Sequence, residues 1–244
     1  TARRKSPGRW SGDDVRAPIM FVGHMALALA TKRVAPTVSL GWFMAAVTAL
    51  DLVWPIFVLA GIEHVRIVPG AMAFNPLVFD SYPWSHSLLM AIVWGAILAA
   101  LSRLAGISHR TGVIIWALVV SHWILDFITH APDLPFWPGS ARVGLGLWNS
   151  IPGSLIIEGA IWVAGIVIYL RDRRATKWIG PLALWSLIII STVMWASGPW
   201  TPPPPDARSL GWFALIGWLM IPWAVVADRY YTTDLSASRT RPTS

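Results

Sequence analysis

The apolar positions along this chain come in long blocks instead of stripes. Six stretches of about twenty residues are predominantly apolar: 38–62, 84–106, 112–131, 152–170, 178–198 and 209–228. A soluble helix would alternate an apolar face with a polar one. These blocks do not, and about 20 residues rising roughly 1.5 Å each match a hydrocarbon core of roughly 30 Å. The pattern predicts an all-α integral membrane bundle with about six full spans. A shorter apolar stretch, 21–31, precedes them. It is too short to cross alone, so it is expected as a half-span or as a helix packed at the bundle's edge.

The polar segments predict the rest of the organisation. Residues 1–19, TARRKSPGRWSGDDVRAPI, are basic and carry Pro and Gly. They are expected to be a disordered extension, and they lack the apolar core of a secretory signal. Met20 opens a different kind of sequence, MFVGHMALALATKR, and is the expected natural start. Residues 20–230 then form the transmembrane domain and 231–244 a disordered cytoplasmic tail. The run PPPP at 202–205 predicts a stiff turn between spans. No internal repeat or soluble domain is visible.

Charge orients the bundle. Eleven Lys and Arg fall in one set of alternate loops and at the C-terminus: 32, 33, 103, 110, 171, 173, 174, 177, 229, 239 and 241. The other loops hold three, Arg66, Arg142 and Arg208. By the positive-inside rule the first set is cytoplasmic, as is the C-terminus, and 63–83, 132–151 and 199–208 face outward. A plasma (inner) membrane is the expected location. Only 13% of residues are charged and the mean hydropathy is +0.58, against about 25% charged in soluble domains. The net charge of +7 is dispersed among short loops. That pattern belongs to membrane topology and argues against a nucleic-acid face. Membrane lipids are the expected partners. Cysteine is absent, which excludes disulfides, thiolate nucleophiles and Cys-ligated zinc.

Against this background the ionisable residues inside the blocks stand out. In VVSHWILDFITHAPDLP, His122, Asp126 and His130 are four apart and share one helix face. Asp133 follows Pro132 at the helix's outer mouth. Asp51 lies near the middle of its block, where a charged Asp costs roughly 2.5–3.5 kcal/mol on insertion scales. His86 opens the next block between Ser85 and Ser87, Glu158 lies one to two turns into another, and His24 precedes a good apolar helix. Asp51, Asp126, Glu158, His86 and His122 fall at mid-membrane or in the outer half of the predicted topology; His24 joins them if Met20 is the start, whereas the basic residues of 1–19 would hold that segment inside. A single polar pocket opening outward accounts for that bias. Imidazole and carboxylate are standard ligands for zinc, manganese or non-haem iron. His130 and Asp133, close to water, are equally read as ordinary helix-end residues. Glu63 and His64 are read as outer-loop residues.

The chain resembles the YdjM-like bacterial inner-membrane family, described as metal-dependent hydrolases. The matching pieces are Gly23-His24, Asp51, Ser85-His86-Ser87 and the Ser121-His122 … Asp126 helix, across about residues 20–150. The resemblance implies a divalent metal, zinc by preference, held by His24, Asp51, His86, His122 and Asp126. It departs from the family's pattern at Asp51-Leu52-Val53-Trp54, where a second Asp and a His are missing. It departs again at Tyr82-Pro83-Trp84-Ser85-His86-Ser87, a reduced form of a longer run. Those losses imply fewer ligands.

The first functional expectation is a membrane-embedded hydrolase acting on a lipid or lipid-linked phosphate or ester from the outer leaflet. Asp126 or Glu158 would serve as general base. The loop 132–151 would act as a lid, with Arg142 and Asn149, beside His130 and Asp133, at the rim or on the substrate. The alternatives are a proton- or ion-coupled transporter, since buried Asp, Glu and His chains mark such pathways too, and a structural membrane subunit. The crowding toward one leaflet and the lack of repeats disfavour a transporter.

Overall fold

The computed structural model describes residues 22–171 and 173–233. The expected 1–19 extension and most of the 231–244 tail lie outside the described residues. In chain order come α1 (Val22–Thr31), α2 (Leu40–Val47), α3 (Ala49–Leu59), β1 (His64–Ile67), β2 (Leu77–Ser81), α4 (Pro83–His86), α5 (Leu88–Leu104) and α6 (His109–Thr129). They are followed by β3 (Leu134–Pro135), β4 (Arg142–Val143), α7 (Ile151–Arg171), β5 (Arg173–Ala175), α8 (Ile179–Ser197), α9 (Ala207–Ala214), α10 (Met220–Arg229) and β6 (Tyr231–Thr233).

The chain is mostly helical, as expected, but the spans are less regular than six uniform crossings. Four helical segments are long and apolar enough to cross a membrane: 109–129, 151–171, 179–200 and 207–229. The block 38–62 is instead a broken pair, α2 and α3, bent by 53°. Thr48 sits at the break and returns its hydroxyl to Met44 O at 2.8 Å, a bond that bends helices. The block 84–106 loses its first turn to α4. Ser87 is extended there and caps α5 by accepting from Met90 N at 3.2 Å. The last span changes from α9 to a 3-10 turn (Leu215–Leu219) before α10.

The bundle is not purely α. Short antiparallel ribbons close its two ends. β1 pairs with β2 and β3 with β4 at one end, and β5 pairs with β6 at the other. Residues 231–233, expected to begin a disordered tail, therefore form β6.

α1 lies in the interior instead of at the edge, with eight of its ten residues buried. It packs on α7, where Gly165 permits close approach. A Cβ there would meet the Ala26 backbone at 2.6 Å. At the β5–β6 end, Asp228 ties four elements together. It accepts from Lys32 Nζ (2.7 Å), Leu40 N (3.1 Å), Tyr169 Oη (3.0 Å) and Arg173.

Candidate metal centre

The ionisable residues collect near the opposite end. A break in a membrane helix frees backbone groups and is tolerated where it is buried in protein or lines a cavity. The break at Thr48 does both jobs. It leaves the Val47 carbonyl without a partner in α2, and His122 Nδ1 donates to that carbonyl at 2.7 Å. It also places Asp51 in the first turn of α3. The α4 turn carries His86, and α6 carries His122 and Asp126 one above the other.

The carboxylate and imidazole atoms face one another without forming aligned hydrogen bonds. His122 Nε2 lies 3.2 Å from Asp126 Oδ2 and 3.8 Å from Asp51 Oδ1. His86 Nε2 lies 3.5 Å from Asp51 Oδ1 and 3.9 Å from Asp126 Oδ2. Ligand-type atoms of Asp51, His86 and His122 fall within 4.8 Å of one another, as do those of His24, His122 and Asp126.

The tautomers follow from the partners. A carbonyl only accepts, so His122 carries its proton on Nδ1 and its Nε2 is a bare lone pair when the ring is neutral. Ser85 Oγ donates to Glu63 Oε2 at 2.6 Å, so His86 Nδ1 must donate to Ser85 Oγ, 2.7 Å away. His86 Nε2 is bare for the same reason. His122 Nε2 and Asp126 Oδ2 are buried and have no hydrogen-bond partner among the described residues. Two lone pairs aimed at two carboxylates repel unless a proton or a cation sits among them. The donor set, two imidazoles and two carboxylates, is that of zinc and similar divalent ions. The second nitrogens are anchored as metal-bound histidines usually are. The residues present therefore fit a divalent metal.

His24 joins the cluster as well. Its Nε2 lies 3.1 Å from Asp126 Oδ1 in hydrogen-bonding geometry, and its ring stacks flat on His122 with centroids 3.8 Å apart. With His122 and Asp126 it also forms one of the two triads whose ligand atoms could hold a cation.

The other expected residues sit around this centre. Both oxygens of buried Glu158 are taken by indole N–H groups, from Trp148 (3.1 Å) and Trp195 (2.6 Å). His130 is buried, against Trp148 and Phe79. Asp133 Oδ1 accepts from the Tyr82 hydroxyl at 2.5 Å and lies 3.1 Å from His130 Nδ1. Burial disfavours a charged His130, but the Asp133 hydrogen bond and nearby carboxylates outweigh it and hold its pKa above the ordinary value. Burial and Asp133 push the Tyr82 hydroxyl well up. Arg142 is spent on Phe79 and Asp80 carbonyls (3.4 and 2.5 Å), which pins the 132–151 segment to β2. Asn149 is exposed and makes none of the contacts of the cluster.

Glu63 was expected as a loop residue. It does lie in the loop between α3 and β1, but buried, and it accepts from Trp84 N, Ser85 N and Ser85 Oγ at 2.6–2.8 Å. Its partner turn is about twenty residues away, so no local pattern announces it. Trp148 and Trp195 were likewise hidden among the many interfacial tryptophans.

A family model described as YdjM inner membrane protein matches residues 19–199. The chain belongs to that family. Its membrane character follows from both the match and the apolar helices. Among curated proteins and solved structures, nothing matches it.

Proposed function

We propose that this YdjM-family protein is a membrane-embedded, metal-dependent hydrolase acting on a lipid or lipid-linked phosphate or ester. The observation that carries the reading is that the bare nitrogens of His86 and His122 face the Asp51 and Asp126 carboxylates at 3.2–3.9 Å. Those four residues would hold a divalent cation, zinc by donor chemistry, with His24 steadying Asp126. Bound there, the cation supplies Lewis acidity toward a phosphoryl or ester oxygen and lowers the pKa of its water. Asp126 and Glu158 are the candidate bases. Asp126 touches the centre directly, whereas Glu158 is fixed by its two tryptophans. Asp51 is the open side of the site: its side chain is 46% exposed, against 5% or less for His86, His122 and Asp126. Together with the loop-charge bias, this supports substrate arriving from the outer leaflet.

The test is metal analysis of detergent-purified protein beside Asp51→Ala and His122→Ala. Near-stoichiometric zinc in the parent, lost in both variants, is the expected outcome. A parent that binds no divalent metal at any loading would remove the reading.

A further inference from the structure

Asp51 also lines a cleft between α3 and the wall built by α8, α9 and α10. The cleft has a volume of about 190 Å³, and its lining includes Met25, Leu52, Met194, Phe213 and Met220. Its mouth opens through residues of the candidate spans: Ile190, Ile216 and Leu219 are 44%, 53% and 61% exposed. The opening therefore faces hydrocarbon, not water. Three of the lining side chains are methionines, unbranched and able to repack around a flexible chain.

We propose that this cleft is the subsite for one acyl chain of a membrane lipid, with the lipid's head placed beside Asp51. The occupant is an amphiphile because the lining is mostly apolar and includes the Asp51 carboxylate. The inference rests on the hydrolase reading for what happens to the head, but binding of the chain stands apart from it.

Gly217 offers a way to fill the cleft. A Cβ at this position meets only Leu52 Cδ2, at 3.9 Å. The experiment uses full-length protein in nanodiscs containing a phosphatidylglycerol with a photoreactive group in one acyl chain, and maps the labelled peptides. A photoreactive isoprenyl phosphate is the second arm, and metal content is measured in parallel. Label from the acyl probe concentrated at Met25, Met194 and Phe213 supports the proposal. Gly217→Phe should lower it by about tenfold or more. Metal content should not change in that variant. Gly217→Ala should keep the label, which checks that the segment tolerates substitution. Label spread evenly over lipid-facing α5 and α7, or unaffected by Gly217→Phe, overturns the proposal, as does label from the isoprenyl arm alone. Correct labelling of a protein that binds no metal would sink the hydrolase reading and leave the subsite standing. Metal binding without labelling at the cleft would do the reverse.

Discussion

Ser85 has a single hydroxyl hydrogen, and giving it to Glu63 obliges Ser85 to accept from His86. That one bond decides which face of the imidazole is bare. Ser85→Ala should therefore weaken zinc binding about 10–100-fold, the usual effect of losing an outer-shell partner, as read by competition with a chelator. Ser87→Ala removes only the α5 cap, so about 1 kcal/mol of stability should be lost with little change in zinc affinity. Equal zinc losses in the two variants would show that Ser85 acts through folding alone. His130 gives a pH signature. Its folded-state pKa is raised, so its contribution to stability is full below the unfolded value near 6.5 and fades as pH rises through the folded value. In chelator, the melting-temperature gap between parent and His130→Asn should shrink from about pH 5.5 to about pH 8.5; a gap that widens would contradict the assignment. The sequence marked His122, Asp126, Asp51 and His86 because ionisable groups inside apolar blocks are rare and costly. It could not mark Glu63, Trp148 or Trp195, whose roles depend on contacts that exist only once loops and helices are folded together.

Helices here are positioned by defects in the apolar pattern as much as by the pattern itself. The positions of the apolar blocks were readable from the sequence, because hydrophobic length is a local property. The break at Thr48 was not, because nothing local separates a threonine that bends a helix from one that points to lipid. Nor was the central place of α1, since its ten residues look alike whether they lie at an edge or in the middle. What puts α1 in the middle is small-residue packing against α7, the common device of membrane helix pairs. Gly165 is therefore a sensitive position. Gly165→Val drives a branched side chain into the Ala26 backbone and should cost about 1–3 kcal/mol, seen as a lower melting temperature in detergent. On α6, a Cβ at Gly112 finds ordinary contacts no closer than 3.7 Å, so Gly112→Ala should melt close to the parent. If Gly165→Val also melts like the parent, the α1–α7 crossing is looser than described.

The molecule has two chemically different ends. At one, the α1, α7 and α10 termini and the β5–β6 ribbon bring Lys32, Arg33, Arg171, Arg173, Arg174, Lys177 and Arg229 together, with Asp228 neutralising part of that charge from inside. At the other, two ribbons close over the His and Asp centre. The basic end should be cytoplasmic, because Lys and Arg in short loops resist translocation. The centre would then lie toward the outer leaflet, and a lipid reaching Asp51 would come from there. The absence of cysteine makes the orientation easy to test. Asn149 and Lys177 are both exposed and lie in segments at opposite ends. In intact cells a membrane-impermeant maleimide should label Asn149→Cys, and should label Lys177→Cys only after permeabilisation. The reverse pattern would invert the bundle. It would leave the side-chain geometry of the centre untouched but move its substrate to the cytoplasmic leaflet, so orientation and chemistry are separately exposed to disproof.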